Sequence, residues 1–176
     1  MPTFTPGQIP TADVLQDLVP LYARKTADES VTSSTTLQND DELAVTVSAG
    51  GIYTLDAFIL FTGNETGDFQ CRFTFPSGST LHFAAYAPAP GDAGFNTGGS
   101  AGNVEFFARQ NTTSSPSGVI IYSGSTAQVH LRLVGTLVVG SSAGTLQFQW
   151  AQNTSNGTAT TVKAGSWLKL DNVSGI

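Results

Sequence analysis

The chain has 176 residues, of which 11% are charged, and most of its net charge of −6 lies in the first 42 residues. The remaining chain is nearly neutral and rich in Gly, Ser and Thr, so it lacks the basic face that binding to nucleic acid or to an anionic membrane requires. A single cysteine, Cys71, excludes an internal disulfide. No segment approaches the ~20 apolar residues of a membrane-spanning helix. The length favours one principal domain with a substantial hydrophobic core.

Residues 1–22 are predicted to form an extended arm followed by one short helix. Residues 1–10 are rich in Pro and Gly, Thr11 is a suitable N-cap, and Pro20 would end the helix. The apolar stripe of this helix comprises Val14, Leu15, Leu18 and Val19. A helix this short is marginal alone. It therefore packs either on its own β-domain or on neighbouring subunits and docking partners, and both alternatives stay open.

Residues 23–176 are predicted to form a single β-domain. Strand patterns of roughly ten residues are separated by Gly, Pro and Asn turns, with one such turn at Asn39-Asp40 after a strand over residues 30–37. The strand over residues 52–62 turns apolar on both faces at Phe58 and Leu60. About ten such strands are typical of an all-β antiparallel sandwich or jelly roll, not of alternating βαβ units.

The clearest strand pattern covers residues 127–139, A-Q-V-H-L-R-L-V-G-T-L-V-V, in which the odd positions are apolar. Val134 and Val138 make the second half apolar on its other face as well. Because such a strand would be unusually long, Gly135 is predicted to form a bend or bulge. We expect the half before Gly135 to face solvent or a polar neighbour. We expect Val134 and Val138 to contact another subunit, since a monomer would leave them in water.

Groups suited to catalysis are sparse. His82 and His130 lie at mid-strand positions, where a solvated or hydrogen-bonded side chain is the ordinary interpretation. The motifs H-E-x-x-H, G-x-S-x-G and C-x-x-C and a P-loop are absent, and the carboxylates at 40–42 and 65–68 do not match a calcium-loop spacing. The sequence therefore predicts no catalytic residue, no metal site and no cofactor. Cys71 is predicted to be a small apolar strand residue.

Two aromatic residues are candidates for contact with a ligand. Tyr86 lies near a predicted strand end, where it could belong to a sugar-binding platform, and Phe95 lies inside the Gly-rich loop over residues 91–102. Phe95 either contacts a ligand or a neighbouring subunit, or anchors the loop from beneath. No strand-to-helix junction follows the loop, so it is not predicted to bind phosphate.

Three segments resemble a known group of proteins. Residues 144–170, G-T-L-Q-F-Q-W-A-Q-N-T-S-N-G-T-A-T-T-V-K-A-G-S-W-L-K-L, resemble the C-terminal block of small virion-associated proteins of tailed phages that infect actinobacteria. Residues 4–18 are similar to the opening segment of many phage tail and fibre proteins, and residues 22–38 also match. The resemblance covers about half of the chain. It implies a jelly roll similar to tumour-necrosis-factor-like domains, which are commonly trimeric.

The residues and the resemblance together predict a non-enzymatic bacteriophage virion structural protein. In this interpretation a homotrimer decorates the capsid and is anchored to major capsid or tail proteins through residues 1–22. The alternative is a minor tail or fibre protein whose β-domain binds host-surface carbohydrate. Decoration is favoured because the chain has no long helical or repetitive shaft. The N-terminus lacks the pattern of a signal peptide, so we expect synthesis in the host cytoplasm and incorporation into the virion.

Overall fold

The computed structural model describes residues 7, 9, 11, 19–86, 109–113, 120–122 and 126–174. Most of the predicted helix lies outside these residues, with Val14, Leu15 and Leu18, and so does Phe95. The described part contains twelve β-strands and no helix. The described residues include no helix that is long and apolar enough to cross a membrane.

The strands form two antiparallel sheets. In chain order they are β1 (Leu21–Arg24), β2 (Glu29–Val31), β3 (Gln38–Val47), β4 (Ile52–Thr62), β5 (Phe69–Thr74), β6 (Thr80–Tyr86), β7 (Arg109–Thr113), β8 (Ile120–Tyr122), β9 (Val129–Val138), β10 (Gly144–Gln152), β11 (Thr160–Val162) and β12 (Trp167–Asn172). The larger sheet has the order β1-β12-β4-β9-β6-β7. The short strand β11 pairs with the same edge of β4 as β12 does, further along that edge. β2 pairs with the other edge of β11. The smaller sheet has the order β3-β10-β5-β8.

The predicted all-β antiparallel architecture is confirmed, and its outline is jelly-roll-like. Neighbours within each sheet come from distant parts of the chain, as with β4 and β9 or β3 and β10. Such pairings close the two sheets over one core.

Strict alternation places one face of each strand in that core. From β4 the core receives Tyr53, Leu55, Ala57, Ile59 and Phe61. Aromatic side chains of the two sheets meet there, with ring centroids 4.3 Å apart for Phe61 and Phe69 and 5.9 Å apart for Phe73 and Phe83. Within the smaller sheet, the rings of Phe69 and Trp150 are 6.2 Å apart. Each fully buried Phe or Leu contributes about 1.5–3 kcal/mol, so these layers supply most of the stability. Cys71 of β5 is buried among them, as predicted.

Two strand assignments differ from the sequence prediction near the N-terminal end of the domain. β1 pairs with β12 over Leu21–Arg24, so the boundary predicted between residues 22 and 23 falls inside a strand. The strand predicted over residues 30–37 is shorter, because β2 ends at Val31. Leu21 and Ala23 pack against the core from β1, which explains why this short segment belongs to the domain.

The turn predicted at Asn39-Asp40 lies within β3. The Asp40 carboxylate accepts hydrogen bonds from the backbone N–H groups of Glu42 and Leu43, at 3.0 and 2.9 Å. The pairing of β3 with β10 shifts register at this point, between Gln147 and Gln149. Asp40 therefore does form a turn-like structure, but as an irregularity inside a strand and not as its end.

A bend or bulge was predicted at Gly135, and the prediction of a bulge is wrong. β9 is a strand of 10 residues, and its pairing with β4 and with β6 passes through Gly135 without a register shift. Glycine is required there because of a close approach to β6. A Cβ atom at Gly135 would lie 2.2 Å from the backbone oxygen of His82 and 2.7 Å from Cβ of Phe83.

A buried charged cluster connects the segment after β1 to β3 and β10. Nζ of Lys25, a residue only 1% exposed, lies 2.6 Å from a carboxylate oxygen of Glu29 and 3.0 Å from one of Asp40. Trp150 donates its indole N–H to the same oxygen of Asp40 that Lys25 contacts, Oδ2, at 3.1 Å. Burial lowers the pKa of Lys25, but its hydrogen bonds to the two carboxylates outweigh burial and leave the pKa raised. The cluster therefore holds Lys25 as a buried, paired cation.

Candidate functional site

The two outer faces of the sandwich differ in chemistry. The outer face of the smaller sheet is polar: Arg72 donates to Oε1 of Gln149 at 2.7 Å, and Gln149 donates to Oδ1 of Asn39 at 2.7 Å. Exposed threonines such as Thr46 and Thr145 complete it. Hydrogen-bonded amides, a guanidinium group and hydroxyl groups are typical of a sheet surface that faces water.

The outer face of the larger sheet carries exposed apolar and aromatic side chains. In the strands whose side chains the structure describes, the large apolar residues that are exposed are Tyr22 (55%), Ile52 (36%), Tyr86 (37%) and Val138 (40%). Alternation from the buried residues beside them places all four on this one face. We call it the outer aromatic face: the side chains of β1, β12, β4, β9 and β6 that point away from the core. A concentration of exposed apolar groups on one side marks an interaction surface.

Four near-parallel rings form a row across this face. Tyr22 and Trp167 have ring centroids 6.0 Å apart, Trp167 and Phe58 6.3 Å, and Phe58 and His130 5.4 Å. The row crosses β1, β12, β4 and β9. Pairing places Trp167 opposite Phe58, and His130 is the diagonal neighbour of Phe58 on β9, because Arg132 is opposite Phe58. Four strands that are far apart in the chain thus supply one continuous aromatic surface.

A fixed ion pair lies beside the ring row. Arg132 donates from Nε to Oδ1 of Asp56 at 3.0 Å and from Nη2 to Oδ2 at 2.9 Å. This contact raises the pKa of Arg132 through the hydrogen bond and the charge of Asp56. The side chains are 57% and 30% exposed, so the pair is accessible to a ligand. A bidentate geometry of this type orients both groups.

Three rings of the row and the ion pair line one open groove of about 880 Å³. Its lining comprises Phe58, Tyr86, His130 and Trp167, with Asp56, Arg132 and Val134 between them. Tyr86 lies across from Arg132 on β6, and Val134 lies across from Asp56. We call this the Asp56–Arg132 groove. A mostly apolar lining with a few oriented polar groups is the usual composition of a ligand site.

The far end of the outer aromatic face has a different composition. Ile52 of β4 is directly paired with Val138 of β9, and both side chains are exposed. Val138 is six residues from Arg132 along β9, or roughly 20 Å at the rise of a β-strand. The face therefore offers two separate surfaces, a groove with an ion pair and a small apolar end.

The residues predicted from sequence are distributed between these surfaces. Tyr86 and Val134 line the groove, Val138 lies at the apolar end, and Val19 is exposed just before β1. The sequence pattern did place Phe58 on an outer face, but it did not identify Trp167, or the pairing of Asp56 with Arg132. Those contacts depend on strand register, for which the sequence alone offers no direct measure.

The described residues offer little support for metal binding or for a reactive nucleophile. They contain no group of three or more His, Cys, Asp or Glu side chains placed to hold a metal ion. Burial raises the pKa of the Cys71 thiol, which keeps it protonated and poorly nucleophilic. His130 packs against Phe58, and His82 lies on β6 opposite Thr136.

Comparisons with known proteins leave the family open. No protein-family model matches the chain, and a search of curated proteins finds no significant similarity.

Some solved structures are weakly similar to this chain. One is a carbohydrate-binding module from Cellvibrio mixtus lichenase 5A in complex with cellotriose. It has a TM-score of 0.25 and 11% identity, over 88% of this chain and 96% of that one. The infectious bursal disease virus VP2 subviral particle has a TM-score of 0.22 and 10% identity, over 88% of this chain and 41% of that one. Murine APRIL has a TM-score of 0.17 and 10% identity, over 82% and 99%. Similarities this low carry no argument about function.

Proposed function

We propose that this chain is a non-enzymatic bacteriophage virion structural protein, a homotrimer with a tumour-necrosis-factor-like jelly roll that decorates the particle surface. The observation that carries the proposal is the unequal chemistry of the two outer faces. A polar face is suited to water, and a face that gathers the exposed apolar groups is suited to contact with protein. The resemblance of residues 144–170 to virion-associated phage proteins supports the same role.

The proposed contact between copies uses the apolar end of the outer aromatic face. Ile52 and Val138 present adjacent exposed side chains there. The charges on the face are arranged in pairs, Asp56 with Arg132 and Lys169 with Asp171 at 2.9 Å. Because these charges are paired, the apolar end can meet a neighbouring copy in a cyclic trimer without an unpaired charge beside the contact.

Light scattering coupled to size exclusion tests this assembly. The complete chain is expected to elute as a trimer at micromolar concentration. Val138→Asp is expected to weaken self-association at least about tenfold, because a carboxylate would be buried at the contact. Thr46→Asp, on the polar face of the smaller sheet, is the matched control and should remain trimeric. A wild-type chain that is monomeric at this concentration would contradict the proposal.

The proposed anchor to capsid or tail proteins is the N-terminal segment. Since β1 belongs to the β-domain, the appropriate truncation removes residues 1–19 and leaves Pro20 and β1 in place. The truncated chain is expected to fold cooperatively but to be absent from purified particles when it replaces the complete chain. Quantitative mass spectrometry of the particles measures the outcome. Normal incorporation of the truncated chain would show that the anchor lies elsewhere.

A further inference from the structure

We propose that the Asp56–Arg132 groove is a binding site for a neutral oligosaccharide. The inference goes beyond the assembly role, because the groove lies at the opposite end of the outer aromatic face from the contact between copies. It rests on three observations: the row of rings, the preformed ion pair beside that row, and the exposure of the ion pair.

The ring row suits the apolar side of a sugar. A pyranose ring presents weakly positive C–H groups on its faces, and these pack against the apolar, electron-rich surface of aromatic side chains. Trp167, Phe58 and His130 are stacked along the row, with ring centroids 6.3 and 5.4 Å apart, so together they form one continuous apolar wall of the groove. The C–H face of a sugar unit in the groove could therefore pack along this wall.

The ion pair suits the hydroxyl groups of a sugar. A hydroxyl both donates and accepts, so two neighbouring hydroxyls can each donate to the carboxylate of Asp56 and accept from the guanidinium of Arg132. The bidentate contact uses two of the five N–H donors of Arg132. Because each group already orients the other, little side-chain ordering is required when a ligand binds.

The paired charges also determine which sugar is expected. The negative charge of Asp56 is balanced by Arg132, so the groove offers no net charge to an acidic or a basic saccharide. A second copy of the chain is a poorer occupant. It would have to remove water from an ion pair that is 57% and 30% exposed, at a cost that attraction between the charges need not repay.

The test screens the complete chain on an array of neutral oligosaccharides and measures the best binder by calorimetry. Asp56→Ala and Trp167→Ala are each expected to weaken binding at least about tenfold, and Trp167→Phe should retain most of it. Thr145→Ala, on the polar face of the other sheet, should bind like the wild type. The chain has two tryptophans, Trp150 in the core and Trp167 in the groove. The saccharide should therefore change the emission of Trp167, and the change should be absent from Trp167→Phe.

Two outcomes would overturn the inference: no neutral oligosaccharide binds at millimolar concentration, or the binding found is unaffected by Asp56→Ala and Trp167→Ala. The Val138→Asp variant separates this site from the assembly. It is expected to bind the saccharide as the wild type does, even as a monomer. A wild-type chain that is trimeric but binds no saccharide refutes the groove alone, and a monomeric wild type that binds saccharide refutes the assembly alone.

Discussion

Asp40→Ala is expected to lower the free energy of unfolding by about 3–5 kcal/mol, the usual cost of removing one partner from a buried ion pair. Lys25 would remain buried with Glu29 as its one carboxylate in the cluster. The indole N–H of Trp150 and the backbone N–H of Leu43 would lose their acceptor in the core. Urea unfolding followed by tryptophan fluorescence measures the change.

The neighbouring carboxylate provides the control. Asp41 is exposed and adjacent to Asp40, so Asp41→Ala should change stability by no more than about 0.5 kcal/mol. If both variants unfold at the same urea concentration, the buried cluster does not stabilise the domain, and the packing of Trp150 has to be explained by the aromatic core alone.

Gly135→Ala is expected to destabilise the domain by about 3 kcal/mol, the upper part of the range for overpacking. The new methyl group would lie 2.2 Å from the backbone oxygen of His82, so the backbone of β6 would have to move. β6 pairs with β9 from Thr80 to Tyr86, and such a movement would disturb the whole ladder. The same urea experiment, with a thermal melt, measures the effect.

Gly157→Ala is the matched substitution for this test. A Cβ atom at Gly157 would have no heavy atom within 4 Å, so its stability should stay within about 0.5 kcal/mol of the wild type. Wild-type stability of Gly135→Ala would mean that β6 and β9 can separate without cost, and glycine would then not be required at that position.

The alternation of apolar residues predicted the sandwich well. Leu131, Leu133 and Leu137 are fully buried, as their period of two requires. The prediction was weaker where a residue has two roles. Asp is a residue type that favours turns, yet Asp40 is buried inside β3. Glycine in a strand favours a bulge, yet Gly135 lies in a continuous ladder. In both positions a long-range partner determines the structure, and local preference does not reveal that partner.

The candidate site was harder to predict for a related reason. Trp167, Phe58 and His130 come from three separate parts of the chain, and only the pairing of β12, β4 and β9 brings them together. A shift of one residue in either pairing would turn the rings of that strand into the core. Tyr86 and Val134 were predicted as contact residues one at a time, whereas their common groove with Asp56 and Arg132 follows from register.

The place of β1 in the larger sheet also determines how the domain would respond to tension at its N-terminal end. β1 pairs antiparallel with β12 over four residue pairs, and the next residue, Lys25, is held by the buried charged cluster. A pull along β1 would load its hydrogen bonds with β12 together, in shear, and not one after another. A chain tethered through its first residues would therefore carry force into β12 and β4 before any strand detached.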